Sequence, residues 1–218
     1  MNDLSYTQEF YLCATDKKGK VSSTEKICLA AGGISELLNG GYIKRDEKQR
    51  LIVAKPWDDT LPYIKPIYDT IATLKKPHSS YDVLTMFSGS KKLFNELNTA
   101  IGSSLVAADC ATELEVKGRG EGKSKYVPKE EAVKKIIEKI RAELLEDGAM
   151  SDETVCLAAL LDTYEIVLDY FSKVERESVK ARIKEVYESE ESASITDTLE
   201  EILQIPAMLV VVMSVSSA

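Results

Sequence analysis

Residues 24–54 read TEKICLAAGGISELLNGGYIKRDEKQRLIVA, and how this stretch is read decides the fold. Ile27, Ala30, Ala31, Ile34 and Leu38 recur at three- and four-residue spacing, and Leu37 widens that stripe. Such spacing predicts a helix. Gly40 and Gly41 follow at once, and glycine takes the left-handed conformation that ends a helix. Tyr42-Ile43-Lys44-Arg45 and Arg50-Leu51-Ile52-Val53-Ala54 flank the polar run Asp46-Glu47-Lys48-Gln49. Two β-prone runs around a polar turn predict a hairpin. Gly32 and Gly33 each cost the helix roughly 1 kcal/mol against alanine. Close approach of another backbone accounts for them and places this helix at the centre of the fold. The plainer reading is a helix that is merely weak there.

The rest of the chain repeats the helical pattern. Leu4 to Ala14 reads as a short apolar helix, ended by the turn Asp16-Lys17-Lys18-Gly19. Pro56, Pro62 and Pro66 mark a loop and a helix start, since proline fits the first turn of a helix and not its interior. Ile64, Ile67, Tyr68, Ile71 and Leu74 give an amphipathic helix, and Tyr81 to Phe87 another turn or two. Leu93, Phe94, Leu97, Ile101, Leu105 and Val106 form a further stripe. Thr112 to Lys117 alternates as a strand does, and Lys125-Tyr126-Val127 answers it across a glycine-rich tip. Pro128 opens a helix faced by Val133, Ile136, Ile137, Ile140 and Leu144, which stops at Gly148. Ser151 caps the next one, Val155 to Phe171, apolar nearly all round and so expected to be buried. Val174 to Tyr187 is a charged amphipathic helix, Glu188 to Ser194 an acidic linker, and Thr196 to Val215 a last helix bent at Pro206. No repeat or composition break divides the chain. The expectation is a mainly α protein: one compact helical domain over residues 1–218 with two small β-hairpins, one projecting.

Composition narrows the function. The 218 residues are 44% hydrophobic and 29% charged, ordinary for a soluble globular protein. A net charge of −8 rules out a uniformly basic nucleic-acid footprint. Any attraction to phosphate must come from a local patch. Cys13, Cys28, Cys110 and Cys156 are far apart, form no CxxC pair and sit among apolar neighbours. They read as reduced, buried thiols of a cytoplasmic protein, with no zinc site and no disulfide framework. His78, the one histidine, falls in a loop with no nucleophile motif beside it. Met1-Asn2-Asp3 lacks the basic start of a signal peptide. The most apolar run, Ala207 to Met213, is far shorter than the ~20 residues of a spanning helix.

Two basic clusters are candidate sites. Lys117, Arg119, Lys123 and Lys125, against Glu121, make a cationic hairpin tip, and glycine-rich backbone beside lysines can cradle phosphate. The tip reads as a contact for anionic lipid headgroups, as a contact for the acidic face of a partner protein, or as a solvated turn. Gly122-Lys123-Ser124 fails as a nucleotide loop because its first glycine would fall at Lys117. Lys91 and Lys92, opening the helix before that hairpin, join with Lys26 as the second cluster, or are lysines that keep the protein soluble. Asp162, Glu165 and Asp169 share a helix face in this reading, as a hydrogen-bonded or solvated stripe, with no histidine or fourth ligand to make a metal site. No catalytic residue, metal or cofactor is expected.

The order of these elements resembles the Golgi phosphoprotein 3 family. The resemblance lies in Glu9-Phe10 with Leu12, and in Asp16 to Gly19 as a turn. It continues through Ala30-Ala31-Gly32-Gly33-Ile34 with Glu36-Leu37, then Gly41-Tyr42-Ile43, and Asp152 followed by Leu157-Ala158-Ala159-Leu160-Leu161-Asp162. It covers about Leu4 to Val215. It implies an α-helical core with a projecting hairpin, no catalysis, and peripheral membrane binding through phosphatidylinositol 4-phosphate. It also implies a possible homo-oligomer through that hairpin. Eukaryotic members hold the headgroup with an indole and several arginines, near the start of the second helix and on the helix before the hairpin. The matching stretches here, Val21 to Ala31 and Leu93 to Leu105, contain no Trp and no Arg, and the only tryptophan is Trp57. The family's lipid ligands therefore carry over to no residue of this chain, which looks like a compact bacterial-type relative without the basic N-terminal tail. Rival readings are a protein-interaction module without lipid binding and a winged-helix-like DNA regulator. Acidic charge and the lack of arginine in Thr24 to Gly41 count against the latter.

Overall fold

A computed structural model describes residues 4–116, 123–146, 151–163 and 165–188. Helix α1 (Tyr6–Ala14) opens on a capping box. Ser5 Oγ accepts the Gln8 N–H, and Gln8 Oε1 accepts the Ser5 N–H at 3.1 Å. Every residue of α1 is buried, so it shares the centre of the fold with α2. Two of its polar side chains are tied down: Gln8 donates to Ser104 Oγ at 2.9 Å, and Glu9 meets Lys139 at 3.1 Å.

Helix α2 (Ser23–Asn39) is capped by Ser22 and buried from Ile27 to Leu37. The close approach expected at its glycines is present, but side chains make it rather than backbone. A Cβ on Gly32 would lie 2.6 Å from Thr7 Oγ1, and one on Gly33 2.3 Å from Ile67 Cδ1. Gly41, with φ +68°, is the left-handed residue after the helix; Gly40 stays right-handed. β1 (Ile43–Arg45) and β2 (Arg50–Val53) pair antiparallel, Ile43 opposite Val53. Asp46 Oδ1 accepts the N–H groups of Lys48 and Arg50, both at 2.9 Å, which shapes their turn.

A third strand, β3 (His78–Ser79), lies on the other side of β2. His78 is thus in a strand, paired with Leu51, and not in a loop. Two residues are too few to show alternation in sequence. A 3-10 turn (Pro62–Ile64) and α3 (Lys65–Thr73) come before it, and α4 (Ser80–Gly89) and α5 (Lys91–Ala107) after it. β4 (Ala111–Val116) and β5 (Lys123–Pro128) form the second hairpin. Pro128 closes that ladder rather than opening the next helix, because a missing N–H is harmless at a strand end. α6 (Glu130–Leu144) follows.

The helix expected over Val155 to Phe171 is broken. α7 (Asp152–Thr163) stops, Glu165 takes φ +58°, and α8 (Val167–Tyr170) resumes. Asp162, Glu165 and Asp169 therefore share no helix face; Asp162 pairs instead with Lys180 of α9 (Lys173–Glu188) at 3.3 Å. The reversal buries Ile166, Val167 and Phe171 and lets α9 pack back on α7. Tertiary packing outweighs local propensity there. One connected core runs from Tyr6 to Ile183. The expected linker beyond Glu188 and the helix Thr196 to Val215 lie outside the described residues. Among the described residues no helix is long and apolar enough to cross a membrane.

Candidate functional site

The loop between α1 and α2 is built by one aspartate and one glycine. Asp16 Oδ1 accepts the backbone N–H groups of Lys18 and Lys20, both at 2.8 Å. The Lys20 N–H foremost holds the Asp16 carboxyl below the usual carboxylate range. Gly19 sits at φ +67° and lies against β5. A Cβ there would be 2.9 Å from Lys125 Cβ and 3.1 Å from the Tyr126 carbonyl oxygen. The loop is thus seated on the second hairpin, and Lys17, Lys18 and Lys20 are exposed beside the exposed Lys125. Sequence reasoning took Asp16 to Gly19 only as a turn. The signal was present in the spacing Asp-Lys-Lys-Gly-Lys, but its position next to β5 is a tertiary fact.

The hairpin in turn is seated on α5. The Tyr126 ring packs against Gly102, and its hydroxyl is 3.2 Å from Ser103 Oγ. Leu114 stands opposite Lys125, and Thr112 opposite Val127. These four share one face, because cross-strand partners point the same way. Glu113, paired with Tyr126, belongs to the other face, and so does Glu115, paired with Ser124. Lys125 therefore stands on the face opposite Glu113 and Glu115. Lys123 begins β5, while Lys117 and Arg119 lie outside the described residues.

The second cluster gathers where α2 and α5 begin. The Lys26 ammonium lies 4.6 Å from the centroid of the Phe94 ring, a cation–π contact that joins the first turns of the two helices. Lys91 and Lys92 are exposed at the start of α5, and Lys92 is 3.9 Å from Glu96. Phe94 and Gly102 are eight residues apart on α5, about 12 Å along its axis. Both clusters therefore flank one stretch of α5.

A separate cleft of about 1230 Å³ opens between α1, the 3-10 turn and α6. Glu36 lines it, buried. Its carboxyl accepts the Thr7 N–H at 3.0 Å and the Tyr63 hydroxyl at 2.6 Å. Burial pushes the Glu36 carboxyl up, against the pull of those donors. Much of the cleft's charge is matched within the chain, Glu9 by Lys139 and Asp109 by Lys129. These pairs tie α1, α6 and the hairpin base together. Trp57 packs between Tyr42 and Tyr68, with centroids 5.2 and 5.0 Å away, beside the first sheet.

Little here suits nucleophilic or metal chemistry. All four cysteines are buried and free, and burial pushes the thiols of Cys13 and Cys156 well up. Among the described residues no group of three or more His, Cys, Asp or Glu side chains is placed to hold a metal. His78 Nδ1 lies 3.5 Å from Asp82, its neighbour at the start of α4.

No curated protein matches the chain. A family model described as Golgi phosphoprotein 3 (GPP34) matches residues 7–204, nearly its whole length. Helical core, loop, hairpin and site lie inside that match, apart from the first residues, and the chain belongs to the Golgi phosphoprotein 3 family.

Proposed function

We propose that this protein is a non-enzymatic adaptor that docks peripherally on anionic phospholipid. We also read residues 1–218 as one domain. The observation that carries the proposal is the Lys26–Phe94 contact. It gathers the start of α2 and the lysines opening α5 beside a projecting hairpin, on a chain of net charge −8. The basic surface is local, as binding to phosphate by an acidic protein requires. The family's indole and arginines are absent from the matching stretches, so lysine charge takes their place and headgroup selectivity is weak. Lysines act as point charges and lack the bidentate fork of arginine. Buried high-pKa thiols, poorly placed to act as nucleophiles, support a role without catalysis.

Vesicle flotation tests the reading. The protein floats with vesicles containing phosphatidylserine or phosphatidylinositol 4-phosphate at low salt and is released as salt rises, because the screening length falls from about 30 Å at 0.01 M to about 3 Å at 1 M. Failure to float with either lipid at low salt overturns it.

A further inference from the structure

We infer that the lysine loop Asp16–Lys20 and the Leu114–Lys125 face of the second hairpin form one bilayer-contacting surface, so that the hairpin meets the membrane on that face and not by its tip alone. The inference rests on the membrane reading above and goes beyond it, since neither Lys17, Lys18 nor Lys20 lies in a stretch where the family resemblance puts lipid ligands.

Three observations carry it. First, the loop is fixed. Asp16 binds the Lys18 and Lys20 N–H groups, and Gly19 approaches β5 so closely that any Cβ would strike Lys125 Cβ at 2.9 Å. Three exposed lysines are therefore held beside a fourth. The one carboxylate among them, Asp16, is engaged by its own backbone. Second, the strand register sorts charge. Leu114 and Lys125 share a face, while Glu113 and Glu115 take the other. Third, Leu114 is 47% exposed. An exposed leucine beside lysines suits a lipid interface, where apolar groups and lysine stems enter the acyl boundary and the ammonium groups stay at the phosphates. A nucleic acid would use the lysines and leave the leucine without a partner. The described residues of this face include no arginine.

The test compares two triple variants of the full chain that change net charge equally. K17Q/K18Q/K20Q neutralises the loop. K48Q/K75Q/K76Q neutralises exposed lysines beside the first sheet, at the other end of the 17-residue α2. That end is about 25 Å away, several screening lengths at physiological salt, where each is about 8 Å. Partitioning onto phosphatidylcholine vesicles with and without phosphatidylserine is measured by flotation. Each lysine near the surface is worth about 1 kcal/mol, about fivefold, so the loop variant is expected to lose on the order of 100-fold and the control about twofold or less. Leu114→Ser is expected to remove the part of the binding that survives high salt. Circular dichroism melts overlaying the wild type show that the exposed substitutions leave the fold intact. If loop and control variants lose equally, the attraction is a net-charge effect and this inference falls while the membrane reading stands. If the wild type retains duplex DNA and does not float, both fall.

Discussion

Glu36 is a buried carboxyl held by hydrogen-bond donors. The Thr7 N–H and the Tyr63 hydroxyl both point at its carboxyl, and burial still raises it. A raised folded-state value means that the folded chain keeps the proton to higher pH than the unfolded chain. That stabilisation is full below about 4.3, the unfolded value, and is lost as pH rises through the folded value. Glu36→Gln cannot titrate. It leaves one buried donor facing an amide NH₂, at a cost of about 1–3 kcal/mol. Urea unfolding from pH 4.5 to neutrality, a range that starts just above the ~4.3 reference, should show the wild type losing stability relative to Glu36→Gln as pH rises. Parallel curves would mean that Glu36 titrates as in the unfolded chain. Gly102 is the second telling residue. A Cβ there would lie 2.2 Å from Tyr126 Cγ, at the root of a ring only 1% exposed. Gly102→Ala should cost about 1–3 kcal/mol by overpacking, only partly offset by the ~1 kcal/mol gain in helix propensity. A urea midpoint at or above the wild type would show that Tyr126 can move aside. Gly32 and Gly33 were legible in the sequence as tight positions, being paired in an apolar helix. Gly102 was not, because its partner is 24 residues away on a strand, β5.

At the scale of elements, the pattern of apolar residues located α1 to α6, α9 and both hairpins to within a few residues, and missed β3 and the break at Glu165. Nothing in residues 155–171 says that the chain must turn back; the need arises only because α9 has to cover α7. Arg141 of α6 holds the turned-back segment. Its Nε donates to Glu175 at 3.0 Å, a terminal nitrogen donates to the Tyr170 carbonyl at 2.7 Å, and its guanidinium lies 5.0 Å from the Phe171 ring centroid. Lysine supplies one point charge and none of this fork. Arg141→Lys should therefore lower stability by about 1–2 kcal/mol, seen as a drop of about 2–8 °C in Tm. The same contact has a pH signature. The Ser172 backbone and hydroxyl donors, then Arg141, bring the Glu175 carboxyl down to about 2. Its contribution is thus present above the unfolded value near 4.3 and lost as pH falls toward about 2. An Arg141→Lys melt unchanged at neutral pH would show that packing alone holds α8 and α9.

Across the whole molecule, charge is segregated rather than balanced. The sum is acidic, yet the loop after α1 and the start of α5 each present exposed lysines. Flotation should therefore fall steeply with salt, because exposed lysines act through solvent and are screened within about 8 Å at physiological ionic strength. A salt-insensitive association would point to the exposed Leu114 and away from the lysines.

The sequence by itself determined the helical class, the glycine-tight central helix, the two hairpins, the buried cysteines and the family. The structural features follow from spacing and apolar context along the chain, because local periodicity sets which face of an element is apolar; the family rests on the resemblance of its motifs. It also grouped Lys125 with the hairpin-tip cations and Lys26 with Lys91 and Lys92, and left Lys17 and Lys18 as part of a turn. Only the tertiary structure decided that Lys26 reaches Phe94, that Gly19 sets the loop of Lys17, Lys18 and Lys20 against Lys125, and that the hairpin turns Glu113 and Glu115 to the other face. Those relations depend on contacts between residues up to about a hundred positions apart, and no pattern along the chain encodes which of two exposed charges will stand beside the other.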